Sequence, residues 1–310
     1  MKQPGSKPTY TWWILALTGF LVAAVVYGVQ RGGVPTRNSP FSEQRAADDL
    51  RTLVGLGPRP AASEAIAKAR SYIVAELEKA GLKPQLDEFE AHTPRGLRKM
   101  VNIRAVRRGS KPALIALTGH YDTKIFDFSF VGANDGGSSA AWLLEMARST
   151  ASLRLENTLE FVFFDGEEAV LEWTDQDSVY GSRYDVDRRY RGGVLRDLKA
   201  LILVDMIGDK DLNIKKETQS TTWLKNILWN TSQSLGYTKE FPNDDQEISD
   251  DHVPYLRAGI PAVDLIDFDY PYWHTAADTL DKTSGRSLKT VGDVVYFSLP
   301  EIDRRVSQAK

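Results

Sequence analysis

Cysteine is absent from the 310-residue sequence, which excludes disulfide staples, thiolate zinc sites and thiol nucleophiles together. Histidine is scarce: any imidazole chemistry must draw on His92, His120, His252 or His274. There is no basic excess either. A net charge of −3 leaves nothing to neutralise a phosphate backbone, so no nucleic-acid partner is expected. Proline (14) and glycine (23) are too few for a collagen-like or low-complexity chain, and a hydrophobic content of 42% argues against disorder.

One long uncharged run is present. Thr11 to Val29 (TWWILALTGFLVAAVVYGV) is long enough to cross a bilayer as a helix. Trp12 and Trp13 at one end and Tyr27 at the other suit the headgroup belts. It exceeds a usual signal core and lacks an A-x-A ending, so it reads as an uncleaved signal-anchor; a cleaved signal peptide is the alternative. Residues 1–30 then form a cytoplasmic tail and transmembrane anchor, and residues 31–42, rich in Gly, Pro, Ser and Asn, form a linker. Residues 43–310 form one domain, extracytoplasmic if the anchor stays and secreted if it is cut. A monomer is the default expectation.

Within that domain, apolar runs alternate with helical patterns. Strands are expected at Met100–Val106, Leu114–Thr118, Leu159–Phe164, Ala200–Met206 and Ala262–Ile266. Helices are expected from an N-cap at Ser63 to Gly81, then over Ser138–Arg148, Thr221–Ser234, His252–Ala258 and Leu288–Val306. Continuous apolar strands alternating with helices imply an α/β fold of three layers: a mostly parallel central sheet covered on both faces. Ligands of such sheets bind beyond the carboxyl ends of the strands.

Those ends carry nearly all the candidate ligands. Leu114–Thr118 leads into Gly119-His120-Tyr121-Asp122, Leu159–Phe164 into Asp165-Gly166-Glu167-Glu168, and Ala200–Val204 into Asp205. The small-residue loop Val131–Gly137 offers Asp135, and His274 follows the last strand. Zinc takes imidazole nitrogen and carboxylate oxygen and keeps one position open in catalytic sites. Asp135, Glu168 and His274 would supply three ligands, and Glu167 beside them a general base. His252 reads as a structural residue near a helix start and His92 as a surface residue. The Val54-Gly55-Leu56-Gly57 stretch is no phosphate loop, since no strand leads into it and Pro58 follows.

The ordered segments GHYDTK (119–124), GANDGGSSAAWLLEMAR (132–148), FFDGEEA (163–169), YGSR (180–183), LVDMIG (203–208), DDHVPYLRAGIPA (250–262) and WHT (273–275) together resemble the glutaminyl-peptide cyclotransferases, zinc enzymes on a zinc exopeptidase-like fold. The resemblance runs from about Arg45 to Asp281. It implies that Asp135, Glu168 and His274 bind zinc, that Glu167 transfers protons, and that Asp205 and Asp250 hydrogen-bond in the catalytic centre. It also implies that Trp173 and Trp273 line the substrate pocket. The implied reaction turns the N-terminal Gln of a peptide or protein into pyroglutamate and releases ammonia. Asp264 departs from the pattern, standing where the animal enzymes carry a histidine.

The alternative is a two-zinc aminopeptidase, in which His120 and Asp205 hold a second ion with Asp135 bridging. One ion is expected for the cyclase, with His120 a buried hydrogen-bonding neighbour and Asp264 in the surrounding network. A catalytically dead binding ectodomain is the third reading; it requires a missing ligand, and none is missing.

Overall fold

Helix-forming and strand-forming stretches alternate because their apolar residues change period along the chain. In a computed structural model, which describes Met1 and residues 38–308, Ser42 caps α1 (Glu43–Gly55) by accepting from Arg45 N, and Ser63 caps α2 (Glu64–Lys79) by accepting from Ile66 N. Then come β1 (Gln85–Thr93), β2 (Gly96–Arg107), β3 (Lys111–His120), α3 (Gly137–Ser149), β4 (Asn157–Phe164), α4 (Tyr180–Arg191) and β5 (Leu198–Asp205). The chain continues through β6 (Lys216–Glu217), α5 (Thr222–Leu235), β7 (Asp245–Gln246), α6 (His252–Arg257), β8 (Ala262–Ile266) and α7 (Gly285–Gln308).

The six-stranded sheet has the order β1-β2-β4-β3-β5-β8. The strands β4, β3, β5 and β8 run parallel, while β1 and β2 add an antiparallel edge. Alternation of side chains splits the strands between two cores. Ile115, Leu117, Phe161, Phe163, Ile202 and Val204 pack under α1, α2, α3, α5 and α7. Ala116, Val162, Phe164, Leu201 and Leu203 face Tyr255, Ile260 and the partly buried Val186 on the other side. Helices therefore cover both faces, and the sheet is mixed at one edge rather than parallel throughout.

The expected anchor at Thr11–Val29 lies outside the described residues. Among the described residues no helix is long and apolar enough to cross a membrane. The last linker residues pack on the domain: Ser39 bonds Asp293, and the buried Phe41 lies where a side chain on Gly292 of α7 would fall. Of the expected strands, Ala262–Ile266 matches β8 residue for residue and the others lie inside β2, β3, β4 and, but for Met206, β5. Five of these elements were not expected: α1, α4, the edge strand β1 and the two-residue strands β6 and β7.

Candidate metal and active site

The carboxyl ends of β3, β4, β5 and β8 point their loops to one rim. His120 closes β3 and is buried. Its Nε2 lies 3.0 Å from Asp205 Oδ1, at the end of β5, and 3.3 Å from Asp135 Oδ1. Its Nδ1 faces Asp122 Oδ1 at 3.5 Å and Glu167 Oε2 at 3.6 Å.

Asp135 sits in the turn before α3, and that turn is clamped from a distant part of the chain. Asp278 accepts Asn134 N at 2.8 Å, Asp135 N at 3.1 Å and the Tyr270 hydroxyl at 2.7 Å. From below, the buried Arg59 donates to Val131 O at 2.8 Å and Gly132 O at 3.1 Å. Gly136 must be glycine: its φ is +79°, and a Cβ there would fall 2.3 Å from Asp122 O and 3.0 Å from the His120 ring.

Beyond β4, the backbone N–H groups of Glu167 and Glu168 donate to the two oxygens of Asp122, at 3.1 and 3.3 Å. That clamp fixes the turn so that the two adjacent side chains diverge: Glu168 toward His274, Glu167 toward His120. His274 has a left-handed backbone, φ +55°, an unfavourable conformation that the surrounding packing must enforce. Trp273 stacks on its ring at 4.1 Å, and Phe126 and Phe130 meet it edge-on at 5.4 and 6.0 Å. His274 Nε2 then lies 3.2 Å from Glu168 Oε1 and 3.4 Å from Asp135 Oδ2.

The electrostatics describe a rim with too many carboxylates for its own cations. Burial pushes Glu168 up to about 7, reinforced by Asp135. Burial likewise raises Asp250 to about 7, with Asp205 adding to it. Glu167, Asp251 and Asp264 are driven well above the usual carboxylate range by burial and by neighbouring acids. Asp135 moves the other way: burial opposes ionisation, but His120 and His274 hold it charged. Burial also disfavours a charged His274, yet Asp135 and Glu168 raise it to about 9.

A divalent cation fits this arrangement. Donor atoms of Asp135, Glu168 and His274 lie within 4.8 Å of one another, as do those of His120, Asp135 and Asp205. Asp135 Oδ2 and Glu168 Oε2 are buried without a hydrogen-bond partner, lone pairs that a protein interior rarely leaves unused. Two carboxylate oxygens and an imidazole nitrogen are a zinc-type donor set. The second group is less open, because Asp205 Oδ1 is shared by His120 Nε2 at 3.0 Å and Met206 N at 2.8 Å.

Beside the trio opens a cavity of about 410 Å³ whose wall includes Glu167, Asp205, Asp250, Trp173, Trp273 and Phe268. Both tryptophans are partly exposed, 43% and 40%, and Phe268 packs on Trp273 at 4.7 Å. Asp250 Oδ1 takes Asp251 N, while its Oδ2 has no partner. Asp264 joins neither ligand group. It is buried in β8 with His252 Nδ1 3.7 Å away, and His252 Nε2 lies 3.2 Å from Glu217. His92 lies exposed on β1. Sequence reasoning gave no role to Asp122, Asp278 or Arg59. Asp122 lies within a quoted strand-end segment, but the other two act from far along the chain with no local signal.

The chain is similar to known proteins in both sequence and fold. The sequence profile of peptidase family M28 matches residues 102–298. The glutaminyl-peptide cyclotransferase of Bos taurus is 30% identical over 285 residues, which cover 79% of this chain and 78% of that protein. The crystal structure of an Acidobacteriales bacterium glutaminyl cyclase superposes with a TM-score of 0.81 at 37% identity, covering 88% of this chain and 99% of that one. A Zn-dependent exopeptidase from Parabacteroides distasonis superposes with a TM-score of 0.78 at 25% identity, over 86% of this chain and 99% of its own. The chain belongs to peptidase family M28 and, within it, to the glutaminyl-peptide cyclotransferases.

Proposed function

We propose that this site binds one zinc ion through Asp135, Glu168 and His274 and cyclises the N-terminal Gln of peptides or proteins to pyroglutamate. The observation that carries this reading is the convergence of the three donor side chains, two with buried unpartnered oxygens, on the edge of a tryptophan-walled cavity. When bound, the ion supplies Lewis-acid polarisation of the γ-carbonyl and stabilises the negative charge that develops on its oxygen.

The chain's own residues do the rest. Glu167 takes a proton from the substrate α-amine as the amine nitrogen bonds to the carbonyl carbon of the γ-carboxamide, and returns a proton to the departing amide nitrogen, which leaves as ammonia. Burial raises Glu167 well above the ordinary glutamate value, which makes it a stronger proton acceptor than a solvated carboxylate. Asp250, with Oδ2 unpartnered at the cavity wall, is the acceptor that orients the amine, and Asp205 fixes His120 behind it. Trp173 and Trp273 enclose the short Gln side chain, and the attacking group is thereby held near its target. No enzyme nucleophile is required, since both reacting groups belong to the substrate.

A two-zinc aminopeptidase is the second reading, favoured by the His120–Asp135–Asp205 group. Incubation with a Gln-initiated peptide and with an amino-acid anilide separates the two. Ammonia release with the peptide otherwise intact, at one zinc per chain, is the expected result; a freed amino acid, with two, overturns it. The uncharged segment Thr11–Val29 supports a membrane tether that leaves the catalytic domain outside the cytoplasm.

A further inference from the structure

A second cavity, of about 420 Å³, adjoins the first and shares Trp173, Ser249 and Asp250 with it. Its far wall belongs to α4 and α6 and carries two arginines, Arg183 and Arg257. Arg183 is half-buried; its guanidinium bonds the carbonyl oxygens of Ser178 and Gln176, both at 3.1 Å, and lies over the Tyr180 ring at 4.8 Å. Those contacts fix its direction without neutralising its charge. Arg257 approaches Asp175 at 3.4 Å, but both side chains are largely exposed, 64% and 68%, and such a pair holds its partners weakly. The cavity therefore carries two guanidinium groups against two carboxylates, Asp175 beside Arg257 and Asp250 on the wall shared with the first cavity, and Arg183 has no ion-pair partner among them; Val179, Val186 and Val253 add apolar lining.

We propose that this second cavity is a subsite for the residues following the N-terminal Gln, and that it favours a carboxylate side chain there. The inference rests on the cyclase reading of the first cavity. With the Gln side chain in that cavity, the rest of the peptide must leave over its exposed rim, and Trp173 is part of that rim. An extended chain advances about 3.3–3.6 Å per residue, so the second and third residues cross the shared Trp173 wall and arrive above Arg183 and Arg257. A Glu or Asp side chain then meets a fixed guanidinium on one side and a weakly held one on the other. A Lys or Arg there meets the like charge of Arg183 and must compete with Arg257 for Asp175.

The test compares ammonia release by the full chain from glutamine amide, Gln-Glu-Ala, Gln-Lys-Ala, Gln-Ala-Glu and Gln-Ala-Lys. The ratio of kcat/KM for the Glu over the Lys peptide is expected to be about fivefold at one of the two positions, the scale of a partly exposed ion pair. It should be carried by KM and shrink in 0.5 M salt, where screening is strong. The ratio should fall toward one in Arg257→Gln and invert in Arg257→Glu; because Arg257 is exposed, neither change disturbs packing. Arg183→Lys keeps charge but loses the fixed fork, and should reduce the ratio less than Arg183→Gln. Glutamine amide has no second residue, so its turnover reports the chemistry alone. Turnover of the amide with Glu and Lys peptides equal at both positions overturns the subsite and leaves the cyclase standing. A preference unchanged in Arg257→Glu and Arg183→Gln overturns its assignment to this wall. No ammonia from any substrate overturns the cyclase reading, and the subsite with it.

Discussion

Two buried, charge-rich regions flank the sheet's central strands, and they are finished differently. Under α4, Arg189 reaches Asp185 and Glu160 at 2.6 Å each. Arg188 takes the other oxygen of Asp185 at 2.5 Å, and the Tyr255 hydroxyl donates to Asp185 at 2.6 Å. Burial raises the cost of charge on Asp185, yet Arg189 and Arg188 hold it below its ordinary value. At the strand-end rim the balance is reversed. Asp135, Glu168, Asp250 and Asp264 all keep buried oxygens with no hydrogen-bond donor, and burial pushes Glu168, Asp250 and Asp264 upward. In the first region the carboxylates meet cations of the chain itself, and Arg188 Nε, though without a hydrogen bond, lies 3.3 Å from Asp87 Oδ2. The second needs something from outside it, and that difference separates a structural ion-pair network from a functional site better than charge or burial alone.

Removing a rim ligand should give the largest effect. His274→Ala is expected to abolish turnover and lose bound zinc by elemental analysis, because it removes the only imidazole donor of the Asp135–Glu168–His274 group. Glu167→Gln sharpens the contrast, since it touches the proton path without touching the trio. It should retain zinc and melting temperature while kcat falls by about 10²–10⁴-fold, the usual worth of a positioned acid/base. In the closed network the outcome should be the converse: Arg189→Met leaves Asp185 and Glu160 buried without their main partner. It is expected to cost about 3–5 kcal/mol in urea unfolding, with zinc content unchanged.

The smallest effect is a drift with pH in the metal-stripped protein. Glu168 rises from 4.5 to about 7, Asp250 from 3.8 to about 7 and His274 from 6.5 to about 9. Each is raised on folding, so its stabilising contribution is full below the unfolded value and is lost as pH climbs through the folded one. The stripped protein should therefore lose stability progressively from about pH 4 to pH 9. Zinc takes the place of those protons, so the gap in melting temperature between loaded and stripped protein should widen over the same range. A constant gap by calorimetry would remove the electrostatic basis of the comparison.

The same contrast explains what the sequence made legible. The central strands announced themselves because both their faces are buried, which leaves unbroken apolar runs such as Ala200–Val204. The ligands were legible because strand-end position is set by those runs. By contrast, α4 shows no apolar stripe: its buried side is ionic, Asp185 and Arg189, so its pattern reads as a solvated segment. The edge strand β1 is largely exposed, and its acidic residues hide the alternation. In α1 the signals were present, a Ser42 cap and Ala46, Leu50 and Leu53 at helical spacing, but the neighbouring glycines at 55 and 57 drew attention to the loop instead. Asp278 and Arg59 were out of reach altogether, because their work is to hold backbone far away in the chain.

The clamp made by Asp278 has a practical consequence for engineering. One side chain, four positions past His274, secures the backbone on which Asp135 rides, so two of the three donors are mechanically linked. Anyone transplanting the trio to another scaffold would have to carry the whole corner from Tyr270 to Asp278 with the Asn134–Gly136 turn. Lengthening the chain by one residue between His274 and Asp278 would force a choice between seating the imidazole and holding the turn.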